Sequence, residues 1–145
     1  NITLPSTRTF IRRGFYDTKA AASFVRDLIR RFTVKATSDE QLAGDLSGGN
    51  QQKVVLAKWV GISPKVLILD EPTKGVDVGA KREIYELING LAGKGVPIIM
   101  VSSDLPEVLG ISDRIIVMHE GRIAGQMQGK EATQEKVMQL ATMGE

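Results

Sequence analysis

Two stretches of this chain combine residue types suited to phosphate chemistry. In Leu46-Ser47-Gly48-Gly49-Asn50-Gln51-Gln52-Lys53, a hydroxyl and two residues without side chains stand at the start of a predicted helix. A helix N-terminus has unpaired N–H groups and the positive end of the macrodipole, so it attracts phosphate oxygens. Glycines let the backbone come close to an anion, and a serine adds one more donor. A serine N-cap with flexible glycines accounts for Ser-Gly-Gly alone without any ligand. The second stretch, Val66-Leu67-Ile68-Leu69-Asp70-Glu71-Pro72-Thr73, ends a predicted buried strand in two carboxylates. Asp70 is a hard oxygen ligand suited to Mg²⁺, and Glu71 can orient and deprotonate an attacking water. Two solvated carboxylates opening a loop are the plainer alternative, weakened by the four apolar residues before them.

The elements that must position these residues follow from periodicity. Residues 1–16 carry Arg8, Arg12 and Arg13 and read as irregular; Arg12-Arg13 and Arg30-Arg31 read as solvated faces, with contact to a membrane partner as the alternative for one of them. From an Asp17 N-cap, Ala21, Phe24, Val25, Leu28, Ile29 and Phe32 fall on one helical face. Capping boxes at Thr37-x-x-Glu40 and Ser38-x-x-Gln41 predict a short second helix. A third helix begins near Ser47 and stops at Gly61. The second half alternates: a strand at 66–69 buried on both faces, a helix from Val78 to Ala92, a strand at 96–101, and a short helix around Leu105. A hairpin turns at His119-Glu120-Gly121, and Thr133 caps a last helix with Val137 and Leu140 inward. This order predicts an α/β fold with a mainly parallel, helix-covered sheet.

At 145 residues the chain reads as one domain that buries roughly 68–70% of its unfolded surface. A net charge of +2 gives no reason to expect nucleic acid or an acidic surface as partner. With no cysteine there is no disulfide framework and no thiolate metal site, which fits a reducing cytosol. No apolar run approaches the ~20 residues of a membrane span, so a soluble chain is expected.

The longer strings resemble one family. Leu46 to Lys53 resembles the signature motif of ABC-type ATPases, with Asn50 where most members carry Gln. Val66 to Thr73 resembles the Walker B motif of that family, and Lys74-Gly75-Val76-Asp77 stands where its D-loop would be. The wording Gly-Val-Asp-Val-Gly-Ala-Lys at 75–81 looks like the carbohydrate importers of the ribose, galactose and xylose type. The resemblance covers essentially the whole chain and is most specific over 46–107. It implies an incomplete P-loop NTPase core, at 62–145, plus a helical subdomain portion at 1–61. It further implies ATP and Mg²⁺ as cofactors. Asp70 would be the magnesium-side residue and Glu71 the general base. Leu46, Ser47, Gly48, Gly49, Asn50 and Asp77 would contact a nucleotide held by a second nucleotide-binding domain stacked head to tail. Other implied partners are membrane permease subunits and, indirectly, a periplasmic sugar-binding protein. The implied location is the cytoplasmic face of the cell membrane.

Two departures qualify these implications. The family register places Ser103 where members carry a histidine that contacts the γ-phosphate, and a serine can neither hold a positive charge nor shuttle a proton near neutral pH. His119, the single histidine, falls in the predicted hairpin turn. No Gly-x-x-x-x-Gly-Lys-[Ser/Thr] loop occurs, so the expectation is a fragment of a nucleotide-binding domain, of the C-terminal half, inactive alone. A competing expectation is a non-catalytic half that lends its signature to a partner's site. A soluble ABC ATPase of translation or DNA repair is a third, disfavoured by the modest charge. Strands that the fold expects beside 66–69 are missing, which predicts self-association of the isolated chain.

Overall fold

The computed structural model describes residues 1–12 and 14–142, so Arg13 lies outside the described residues. The chain forms two compact units, Asn1–Met100 and Val101 onward. The first begins with a 3₁₀ turn at Leu4–Phe10 and a minimal hairpin, β1 (Ile11–Arg12) and β2 (Phe15–Tyr16), where the sequence reads as irregular. Phe10 is the reason for this order. It is buried, it lies 5.3 Å from the ring of Phe24 and 6.2 Å from that of Tyr16, and its carbonyl accepts the Asp17 N–H.

Helix α1 (Thr18–Arg31) starts where Asp17 predicts, its carboxylate accepting the Ala20 N–H at 2.9 Å. Its last turn closes through Thr33 at φ +49°, with Val34 N–H returning to the Ile29 carbonyl. That is a left-handed C-cap with threonine in the place glycine usually takes. The predicted helix after Thr37 does not form. Gln41 Oε1 instead accepts both the N–H and the hydroxyl of Thr37, a local ring that takes the place of a helical turn, and only a 3₁₀ turn at Ala43–Asp45 follows.

Helix α2 (Gly48–Val60) ends at Gly61, as expected, for a different reason. Gly61 has φ −58°, and a Cβ there would stand 2.8 Å from Phe24 and 3.0 Å from Leu28. The glycine permits α1 to pack against the end of α2. Next come β3 (Leu67–Asp70), α3 (Val78–Ala92) and β4 (Ile98–Val101), with β3 beside β4 in a two-stranded sheet. The expectation that residues 66–69 are buried on both faces is corrected. Leu67 and Leu69 are buried, whereas Ile68 is 67% exposed and Val66 47%. One face of the strand is buried and the other is exposed among the described residues.

The second unit holds α4 (Leu105–Ile111), β5 (Arg114–His119), β6 (Arg122–Gln128) and α5 (Gln134–Thr142). β5 and β6 pair antiparallel with His119 opposite Arg122, so the turn is Glu120-Gly121, both at positive φ. Ile115, Val117 and Val137 form its core, with Leu105, Leu109 and Leu140 packed against them.

Candidate functional site

Ser47 is the N-cap residue of α2, in extended conformation, and its carbonyl accepts the Gln51 N–H at 2.9 Å. Its hydroxyl does not cap its own helix. Asn50 Nδ2 donates to Ser47 Oγ at 2.9 Å, while Asn50 Oδ1 accepts the Lys35 N–H at 2.8 Å. Gln51 Nε2 reaches back to the Leu46 carbonyl at 2.8 Å and the Gly44 carbonyl at 3.3 Å. Two amide side chains of the first turn therefore hold the incoming loop, and Ser47 and Gly48 are left exposed at its apex. An open depression of about 430 Å³ adjoins them, lined in part by Lys35, Thr37, Asp45, Leu46, Ser47 and Asn50.

The two glycines of this turn differ. A Cβ on Gly48 would meet only the Gly75 carbonyl, at 3.6 Å. Gly49 is buried, and a Cβ there would stand 2.6 Å from the Cβ of Ala80. The second glycine is required by the close approach of α2 to α3, so only the first presents a bare backbone to solvent. Beside it runs the loop 74–77, with Gly75 at φ +74°. Asp77 is the N-cap of α3, accepting the Ala80 N–H at 2.9 Å. Its carboxylate thus has a structural role that accounts for the residue without a ligand.

Asp70 closes β3 with an exposed side chain, and Glu71 follows at φ +47°. An L-residue in the left-handed region costs about 1–2 kcal/mol and persists where the surroundings impose it. Here the next two residues impose it. Pro72 and Thr73 are fully buried, and the Lys74 and Val76 N–H groups return to the Glu71 and Thr73 carbonyls. Among the described residues no group of three or more His, Cys, Asp or Glu side chains could enclose a metal ion. Asp70 offers a single carboxylate arm, which fits Mg²⁺ completed by water and phosphate oxygens.

Ser103 belongs to the second unit and is exposed. On its flanks, Ser102 Oγ accepts the Asp104 N–H at 3.0 Å and donates to the buried Glu107 carboxylate at 2.5 Å, and Asp104 caps the Glu107 N–H. Sequence reasoning missed Glu107, although Asp104-x-x-Glu107 carries the spacing of a capping box. It also missed Lys53. That lysine sits at the helical spacing of Leu56, Ala57 and Val60 and is as buried as they are, at 2% exposure. Its ammonium donates to the Thr33 carbonyl at 3.1 Å and to Glu83 Oε2 at 2.5 Å, joining the end of α1, the middle of α2 and the side of α3. The hydrogen bond and charge of Lys53 hold the Glu83 carboxyl below its ordinary value.

With this geometry in view, likeness to known proteins is informative. The fold matches a dimeric cassette of a bacterial ABC transporter, MJ0796, at a TM-score of 0.72 and 22% identity over 88% of this chain and 54% of that one. It matches CbiO1 of Clostridium perfringens, part of an ABC transporter complex, at a TM-score of 0.75 and 28% identity, covering 95% of this chain and 53% of that one. The family model described as ABC transporter matches residues 3–74. This chain is part of an ABC transporter ATP-binding domain. It is 72% identical over 144 residues to the ribose import ATP-binding protein RbsA of Lactococcus lactis subsp. cremoris, and 65% identical to that of Bacillus subtilis, in each case across 99% of this chain and 29% of the relative. The chain thus spans less than a third of the length of these curated relatives.

Proposed function

We propose that this chain is the signature-bearing and carboxylate-bearing portion of the ATPase subunit of a carbohydrate importer, of its C-terminal cassette, and that ribose is the sugar class it serves. The observation that carries this reading is the built apex at Ser47-Gly48. A helix N-terminus there has an exposed hydroxyl, an exposed glycine and a loop fixed by two amide side chains. In the working enzyme, Ser47 and the backbone of Gly48 donate to the γ-phosphate of an ATP held on another cassette's phosphate loop. Gly49 shapes that apex, and Asp77 fixes the neighbouring loop against it. Asp70 and Glu71 serve the other ATP, the one bound by this cassette. Asp70 would hold a magnesium ion through water, the ion supplying neutralisation of phosphate charge, and Glu71 would receive the proton of the attacking water. The left-handed backbone at Glu71 supports its assignment as the positioned base. By the family register alone, Ser103 would be a neutral donor to the γ-phosphate.

Partners follow from the same reading: a second nucleotide-binding cassette, permease subunits in the membrane, and a periplasmic sugar-binding protein reached through them. No helix among the described residues is long and apolar enough to cross a membrane, so contact with the bilayer runs through the permease. The chain by itself, which contains no phosphate loop, is expected to bind MgATP too weakly for turnover. Isothermal titration giving micromolar MgATP affinity that disappears on Asp70→Asn would refute that.

Ser103 in the histidine position favours a second reading, in which this half only lends its signature to the partner's ATP. Glu71→Gln and Ser47→Arg, made separately in the full-length ATPase, divide the two. Loss of transport-coupled hydrolysis with Ser47→Arg alone supports the lending reading, and loss with Glu71→Gln alone rejects it.

A further inference from the structure

The amide of the signature residue Asn50 is oriented by two bonds within the chain. Its Oδ1 faces the Lys35 N–H at 2.8 Å. A backbone N–H can only donate, so the oxygen of the amide must lie on that side and the NH₂ must lie on the other. The NH₂ then donates to Ser47 Oγ at 2.9 Å. With a lone pair of Oγ engaged, the Ser47 proton is directed away from Asn50, and no group among the described residues accepts it. A serine in this setting is held as a one-way donor toward solvent at the α2 apex. The chain of bonds runs from the Lys35 backbone through one amide to one hydroxyl, and the first bond fixes which way the amide faces.

We infer that Asn50 is a positioning residue that sets the donor direction of Ser47 and acts on ATP through that hydroxyl. This inference rests on the reading of Ser47 as a γ-phosphate donor. Removing the amide frees Ser47 Oγ to rotate and to exchange its proton with water. The effect on the enzyme therefore passes wholly through the Ser47 hydroxyl, and once that hydroxyl is gone Asn50 has nothing left to position.

A double-mutant cycle in the full-length ATPase tests this, read as kcat/KM for ATP with thermal midpoints measured in parallel. Asn50→Ala is expected to lower kcat/KM about five- to tenfold, the scale of one directed hydrogen bond. In a Ser47→Ala background the same substitution is expected to change it less than twofold. Equal losses in both backgrounds overturn the positioning role and leave the reading of Ser47 intact. A Ser47→Ala enzyme with unchanged kcat/KM overturns the reading of Ser47 itself, and the positioning role with it. Should Asn50→Ala fail to fold, Asn50→Asp keeps the Lys35 bond while its second oxygen captures the Ser47 proton. Activity within twofold of the parent in that variant overturns the inference, and a loss of tenfold or more at an unchanged midpoint supports it.

Discussion

Replacing each signature glycine by alanine separates two jobs that the motif combines. At Gly49 the added methyl would lie 2.6 Å from Ala80 Cβ, about 0.8 Å inside the near edge of ordinary contact at 3.4 Å. The obstacle is a methyl fixed to the α3 backbone, so relief requires the two helix starts to separate. Both are pinned: α3 by the Asp77 cap, and α2 by the Gln51 bonds and the Lys53–Glu83 pair. Overpacking of this kind costs about 1–3 kcal/mol. Alanine returns at most about 1 kcal/mol of helix propensity, less in the first turn. The net expectation is a loss of about 1–2 kcal/mol, or a thermal midpoint lower by roughly 3–6 °C for a chain of this size.

Gly48→Ala is the internal control, because its methyl would meet nothing nearer than 3.6 Å. It is expected to be as stable as the parent or slightly more so. The stronger check is suppression. Ala80→Gly removes the obstructing methyl, and the Gly49→Ala, Ala80→Gly pair is expected to be at least about 1 kcal/mol more stable than the sum of its single effects. Thermal and urea denaturation of the four proteins measures this. The reasoning fails if Gly49→Ala matches Gly48→Ala in stability, or if the pair is additive within about 0.5 kcal/mol.

At Glu71, φ +47° makes glycine preferable to alanine, so Glu71→Gly is expected to be about 1 kcal/mol more stable than Glu71→Ala while both lack hydrolysis in the full-length enzyme; equal midpoints would contradict the strain. Lys53→Met keeps the buried stem and loses the bond to the Thr33 carbonyl, a loss of about 1 kcal/mol, whereas Lys53→Ala also removes three buried methylenes and should lose about 3 kcal/mol by urea titration. The depressed Glu83 carboxyl contributes stability that is fully present above the ordinary carboxylate value and is lost as pH falls through its lowered folded value. Acid titration of stability should therefore lose part of its slope in Glu83→Gln, and an unchanged slope would refute the linkage. The bare face of β3 and β4, with Val66 and Ile68 beside Ile99 at 54% exposure, is expected to drive self-association of the isolated chain, and light scattering should show Ile68→Lys shifting it toward monomer.

Much of the fold is legible because its signals are local. Asp17, Ser47, Asp77 and Thr133 each stand one residue before a helix that forms, and the hairpin is readable from Glu120-Gly121. The failures come where a local signal meets a non-local contact. The Thr37 capping pattern is real, yet Gln41 satisfies it without a helix. An apolar run at 66–69 cannot reveal that Val66 and Ile68 stay exposed while Leu67 and Leu69 are buried. The N-terminal turn is invisible because it depends on Phe10 finding Phe24.

At the candidate site the residue types were legible and their division of labour was not. A string of two glycines and an amide suggests that every member faces the ligand. The structure turns Gly49 toward Ala80 and Asn50 toward Ser47 and Lys35, leaving Ser47 and Gly48 as the exposed pair. Lys53 then ties the same helix to α3 and to the end of α1. Of the eight residues from Leu46 to Lys53, at least four thus set the position of the other groups. Such a motif tolerates change poorly for reasons of packing as well as chemistry. A substitution there is informative only when its stability is measured beside its activity, because Gly49→Ala and Gly48→Ala would both reduce hydrolysis while only the first moves the helix.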